Sequence, residues 1–388
     1  MRITEEHLNN LLENRELENI TADTVYDSVR NDSGIGNFLP DGFARVDPRD
    51  GAVVLYNSAR AKRPHKYGNA EEDNKSGEEV SDDQKDCPVC AGKTTGIIDI
   101  ADLSDGYTFI NKNLFPLLDP RGDKSWAEPT ESFYSHSSGT TASARGVHLL
   151  QWTSSVHDRD WHNMPPDDCF TVMKRLAVLE KTLLVNDNNN CPVTGKTAKG
   201  IATHGYVSII KNFGQLVGGS LPHGHQQIAH SNIMPRRFRD NMQFETQHKQ
   251  NFSEFLQQHA SENLIVKEYN TALILVPPFI RRPFTSVLVL KDTTKAFLHE
   301  LSETELQDVT RAWRDMTATL LSLMPAVGRE PAYNITVSNG PGAGLYFDFL
   351  PYTQETGGYE HLGLWICQST PELSAEGLRN HINGTKNN

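Results

Sequence analysis

Cysteine is scarce and odd in number. The 388 residues hold five: Cys87, Cys90, Cys169, Cys191 and Cys367. That count excludes the dense disulfide framework that staples small secreted folds. No apolar run approaches the roughly 20 residues that a membrane span needs, so no membrane partner is expected. Residues 1–18 are polar and acidic, without the basic-then-apolar pattern of an export signal. A cytoplasmic location is the expectation that follows. Basic charge is short as well: 37 Lys and Arg face 49 Asp and Glu, for a formal net charge of −12. A general nucleic-acid binder needs the opposite sign. Phosphorylated small molecules remain open, because a local basic cluster decides their binding.

What the chain does have is length and pattern. It is long enough for two domains. Residues 3–18 place Leu8, Leu11 and Leu12 on one face and predict a helix, so residues 1–41 read as an N-terminal helical extension. Residues 44–46 and 52–56 predict a strand pair about a turn at 47–51. The acidic stretch 68–86 reads as a solvated loop. Residues 167–185 have helical periodicity through Phe170, Met173, Leu176, Leu179 and Leu183. A polar insertion follows at 186–200, with Cys191 to Gly195 read as loop, and then an active-site strand over 208–227. A long amphipathic helix is expected over 239–262 and strands over 271–276 and 286–290. Ser302 and Glu305 form a capping box ahead of Leu306, Val309, Trp313, Met316 and Leu320. A strand at 333–338 comes next. Strands, long helix, strand and motif recur in both halves, which predicts a structural duplication.

The most informative stretch is Ser220-Leu221-Pro222-His223-Gly224-His225-Gln226-Gln227. On an extended segment residues i, i+2 and i+4 face one way, so His223, His225 and Gln227 converge. An imidazole there can be a nucleophile, a base or a metal ligand. A glutamine beside it donates to an anionic oxygen but passes on no proton. Taken alone, a His-x-His pair on a strand is more often a metal site than a nucleophile. Cys87-Pro88-Val89-Cys90 has zinc-ligand spacing and needs two further ligands. Arg60, Lys62 and Arg63 put three cations near a strand end, a phosphate cradle or an ordinary basic turn.

Ser220, Pro222, His223, His225 and Gln227 resemble, in register, the Ser-x-Pro-His-x-His-x-Gln signature of the galactose-1-phosphate uridylyltransferases and their relatives in the histidine-triad superfamily. The resemblance runs from Gly42 to Arg379. It implies an α+β fold of two histidine-triad-like half-domains, each an antiparallel sheet with packed helices: a catalytic half at 42–238 that holds a zinc site, and a C-terminal half at 239–388. By the resemblance His225 is the nucleophile, and Ser220 and Gln227 contact phosphates. Asn212 lines the site. Arg60 and Arg63 match the family's Arg-x-x-Arg-Pro, and Asn113 its Asn-x-Phe-Pro loop. Glu360, in Gly358-Tyr359-Glu360, matches a glutamate on sugar hydroxyls. The implied zinc ligands are Cys87, Cys90 and His223 plus a histidine after a later strand. His157 and His162 both follow residues 147–152, and the segment around His157 resembles the family's more closely. Where some members carry a second metal at a His-x-His, this chain reads Tyr346-Phe347-Asp348.

The implied reaction is transfer of a nucleoside monophosphate, UMP first, between a nucleotide sugar and a sugar 1-phosphate through a nucleotidyl-histidine. The alternatives are an ADP-sugar or dinucleotide phosphorylase, in which phosphate takes the adenylyl group, and a zinc-stabilised nucleotide-sugar-binding protein without turnover. No nucleic-acid partner is expected. A homodimer is, on the family's habit. Gln227, where related hydrolases have a third histidine, favours transfer over hydrolysis.

Overall fold

The structure is a computed structural model that describes residues 4–13, 17–47, 50–62, 87–121, 142–185 and 190–384. Its centre is one ten-stranded antiparallel sheet. In chain order the strands are β1 (Ile97–Asp102), β2 (Tyr107–Lys112), β3 (Gly146–Trp152), β4 (Tyr206–Phe213), β5 (His225–Ser231), β6 (Ile265–Glu268), β7 (Ala272–Leu275), β8 (Ser286–Leu290), β9 (Tyr333–Ser338) and β10 (Tyr346–Pro351). The spatial order is β6-β7-β8-β10-β9-β4-β5-β3-β2-β1. Outward from the β4–β9 seam, each half therefore repeats the same sequence of strands. The expected duplication is present as two halves of a single continuous sheet.

One long helix crosses each half on the same face: α1 (Pro166–Leu184) between β3 and β4, and α2 (Glu303–Ala326) between β8 and β9. Alternation along the strands explains the layering. Leu149, Val207, Ile209, Ile228, Ile335, Phe347 and Phe349 point to the helices, and Val172, Met173, Leu176, Val309, Trp313 and Met316 point back. Trp161 and Trp313 meet at the helix seam with centroids 5.2 Å apart. Acidic Asp167 and Asp168 follow Pro166 in the first turn of α1, which suits the helix dipole. The Ser302 and Glu305 capping box starts α2 as the sequence predicts. Residues on the opposite sheet face, His225 and Gln227 among them, are left for other work. None of the described helices is long and apolar enough to cross a membrane.

Several expectations are corrected. The first helix is short, Glu5–Leu11, and a second helix at Ala22–Arg30 buries Val25, Tyr26 and Val29 in the main core. The strand expected over 208–227 is two strands, β4 and β5, joined by a glycine-rich loop. Gly214 and Gly218 take positive φ of 90° and 84° there, a turn that periodicity alone does not show. The helix expected at 239–262 is two, Arg236–His248 and Phe252–Gln258. Lys249 adopts a left-handed φ of 59°, and Asn251 caps the second helix by accepting from the Glu254 N–H. Val193–Lys196 is a strand paired with Ala202–His204 rather than loop. The strand pair near residue 50 is Phe43–Val46 with Val53–Leu55. The stretch 68–86 lies outside the described residues.

Candidate active site and metal centre

His225 opens β5, immediately after the turn that carries Pro222 and His223. Gly224 has to be glycine by packing: a Cβ there would sit 2.5 Å from Thr153 Oγ1 and 2.6 Å from Asp160 Cγ. The His225 ring lies 4.8 Å from that of Trp152, its cross-strand partner on β3. His225 Nδ1 is 2.8 Å from the His223 carbonyl. A carbonyl only accepts, so Nδ1 carries the hydrogen and Nε2 keeps its lone pair. Burial pushes the imidazole down to about 4, so the ring is neutral at physiological pH. From below, buried Lys211 donates to the His225 carbonyl at 3.2 Å and pairs with Asp160 at 2.7 Å. Burial works against the Asp160 charge, but Lys211 holds its carboxyl below the usual value. A neutral nucleophilic nitrogen on a pinned strand end is the result.

Gln227 follows on the same face. Its Oε1 is 3.1 Å from His148 Nε2. The Leu117 backbone N–H donates to His148 Nδ1 at 3.2 Å, so the His148 hydrogen must sit on Nε2 and be given to Gln227 Oε1. This fixes the Gln227 amide by its carbonyl oxygen. Asn113 joins the chain: its Nδ2 lies 3.2 Å from His148 Nδ1, and its Oδ1 accepts from the Phe115 N–H at 2.9 Å. Arg60 reaches the same loop, donating to the Phe115 carbonyl at 2.9 Å.

Cys87, Cys90, His157 and His223 form a buried cluster whose ligand atoms lie within 4.8 Å of one another. Cys90 Sγ is 3.4 Å from His157 Nδ1 and 3.6 Å from His223 Nδ1, and Cys87 Sγ is 3.7 Å from His223 Nδ1. Tetrahedral zinc with ordinary Zn–S and Zn–N bonds sets sulfur and nitrogen about 3.6 Å apart, so the donor set and spacing fit that ion. His223 Nε2 gives its hydrogen to the Ser154 carbonyl at 2.7 Å, leaving Nδ1 free to ligate. The cluster rests on its own apolar base of Leu8, Val89, Ile97, Phe109 and Trp152. His162 is outside it, with a buried Nδ1 that has no hydrogen-bond partner among the described residues.

The other sequence-predicted residues are spread more widely. Asn212 sits at the end of β4, its Oδ1 accepting from Asn334 at 2.7 Å. It lines a cavity of about 310 Å³ together with Asp160, Lys211, Pro222 and His225. Ser220 is buried in the loop before the histidines. Glu360 lies in a surface turn with its carboxylate on the Gly357 N–H at 2.9 Å, and no contact among the described residues joins it to the motif. Arg63 lies outside the described residues. Sequence reasoning missed His148, Lys211 and Asp160. His148 alternates with buried apolar neighbours on β3, and a lysine within an apolar strand was the available signal for the ion pair.

No family model matches the chain. The curated ADP-glucose phosphorylase of Arabidopsis thaliana is 21% identical over 342 residues, covering 86% of this chain and 85% of its own. A solved uridylyltransferase superposes with a TM-score of 0.63 at 19% identity, over 88% of this chain and 99% of that one. The Arabidopsis thaliana ADP-glucose phosphorylase solved with bound ADP-glucose gives 0.57 at 17% identity, over 87% and 98%. The chain thus shares the fold of these uridylyltransferase and ADP-glucose phosphorylase structures.

Proposed function

We propose that the chain moves a nucleoside monophosphate from a nucleotide sugar to a phosphate-bearing acceptor through His225. The observation that carries this reading is the neutral His225 ring, with Nδ1 tied to the His223 carbonyl and Nε2 left nucleophilic. In the first step Nε2 bonds to the α-phosphorus, and the bond from phosphorus to the bridging oxygen breaks. The sugar 1-phosphate leaves with the electron pair. In the second step an acceptor phosphate oxygen attacks the same phosphorus, and the P–N bond breaks back to His225. Gln227, its carbonyl held by His148 and its NH2 left to donate, stabilises charge on the phosphoryl oxygens with Ser220, Arg60 and Arg63. Asn113 and Asn212 bind the nucleotide part, and Glu360 the sugar. Zinc on Cys87, Cys90, His157 and His223 supplies a structural cross-link. Residues 42–238 are the catalytic half in this reading and 239–388 the second half.

UMP exchange with a sugar 1-phosphate is the leading form. Adenylyl transfer to inorganic phosphate is the second, favoured by the curated relative's match along most of the chain. Intact mass after mixing with UDP-glucose or ADP-glucose separates them by the UMP or AMP adduct that forms. The isolated adduct is then offered galactose 1-phosphate, phosphate or buffer alone. Discharge to one phosphate acceptor is expected. Rapid loss in buffer would make the protein a hydrolase, and no adduct with either sugar would remove the reading. Gln227→His places a titratable group beside the adduct and should shorten its life in buffer.

His148 is a positioning residue here. His148→Ala should lower kcat about tenfold, the worth of roughly one oriented hydrogen bond, with KM little changed. Gln227→Ala should cost much less in that background than in wild type. Additive losses would show that His148 supports the fold and does not orient Gln227.

A further inference from the structure

The internal two-fold of the sheet can be followed residue by residue. Gln227 pairs with Ile210, Ile210 with Thr336, and Thr336 with Asp348. Gln227 and Asp348 thus lie on one row across the sheet, in opposite halves. Tyr346 lies two residues before Asp348 on its strand, as His225 lies two before Gln227. The Tyr346 hydroxyl is occupied by Asn241 Oδ1 at 3.2 Å. The second half keeps the geometry without the nucleophile.

It also keeps a cavity, of about 300 Å³, beside Tyr346 and Asp348. Three guanidinium groups line it: Arg237, Arg281 and Arg282. Arg282 is held by the Thr356 hydroxyl at 2.8 Å and lies over the Tyr352 ring at 5.0 Å. Arg281 lies over the Trp365 ring at 4.8 Å. Arg237 is exposed and has no hydrogen bond or ion pair with a described residue. Among the described residues Asp348 is the only acid on the lining, so cations exceed anions there in a chain of net charge −12. Burial and then the neighbouring Arg237 and Arg236 depress the Arg281 guanidinium, with Asp240 opposing them. Such a cluster is relieved by a phosphate, which arginine grips with paired donors. Phe279, Ile280 and Trp365 add an apolar wall, suited to a ring-shaped body.

We infer that this cavity is a second, non-catalytic binding site for a phosphate monoester, held by Arg237, Arg281 and Arg282. The site lies beyond the proposed reaction and does not depend on it. Asn334 on its lining donates to Asn212 Oδ1 and the Val217 carbonyl, so it adjoins the loop that carries the motif.

The test is calorimetric titration of the zinc-replete full chain with glucose 1-phosphate and, separately, with inorganic phosphate. Wild type should take up two equivalents per chain of at least one probe. Arg237→Ala/Arg281→Ala should lose one equivalent, or weaken it at least tenfold, while adduct formation at His225 is read in parallel and stays unchanged. Arg237→Lys/Arg281→Lys should retain part of the binding and controls for folding. Two equivalents of inorganic phosphate would make free phosphate an occupant, and two of glucose 1-phosphate alone would show that the ester body is needed. A single wild-type equivalent supports the site if the alanine variant loses it, and equivalents undisturbed in that variant overturn it. Failure of the His225 adduct alone would count against the proposed reaction and leave this site standing.

Discussion

His225→Ala should reduce exchange between a nucleotide sugar and a sugar phosphate, or phosphate, by at least about a thousandfold, as deletions of covalent nucleophiles do. The fold should survive. The ring is buried against Trp152 at the end of a strand whose pairing with β3 and β4 is made by the backbone. His225→Gln keeps much of the side-chain volume and should be equally inactive, which separates loss of the nucleophile from loss of packing. Neither variant should gain mass with a nucleotide sugar. Near-normal exchange by His225→Ala would move the covalent step to another residue or abolish it.

The metal centre should show the next largest effect. The wild-type chain should hold about one zinc, and Cys87→Ser should hold less than about a tenth. The cluster ties residue 87 to residue 223 across a separation of 136 residues. Its loss should therefore cost roughly 2–5 kcal/mol of stability, as the loss of other long-range cross-links does. Turnover should fall about 10–100-fold as well. The His223 ring is a ligand, and its carbonyl holds His225 Nδ1, so loosening one loosens the other. His157→Ala should behave like Cys87→Ser, and His162→Ala should keep its zinc. Elemental analysis and thermal melts of the three variants decide the matter, and unchanged zinc in all of them would remove the site.

How much of this was legible beforehand depended on how local each signal is. The capping box at Ser302 and the apolar stripe of α1 are properties of neighbours three and four residues apart, and both helices lie where they were expected. The break at Lys249 depends on one residue adopting a left-handed φ, which the amphipathic pattern on either side does not reveal. The turn between β4 and β5 was missed for a similar reason. Its glycines were a turn signal in the sequence, but that the chain reverses at Gly214 and Gly218 is seen only in their positive φ.

The sequence by itself determined the chemistry on offer: a Cys-x-x-Cys pair, a His-x-His-x-Gln triplet on extended chain, and two halves of matching order. Those are spacings within a few residues, set by backbone geometry that every chain shares. Only the tertiary structure decided which distant groups meet. It chose His157 over His162 because one ring nitrogen reaches the sulfurs and the other does not. It tied Gln227 to His148, 79 residues away in sequence. It also gathered Arg237, Arg281 and Arg282 around Asp348. Convergence of that kind follows from strand pairing and side-chain packing across the sheet, which no single stretch of sequence encodes.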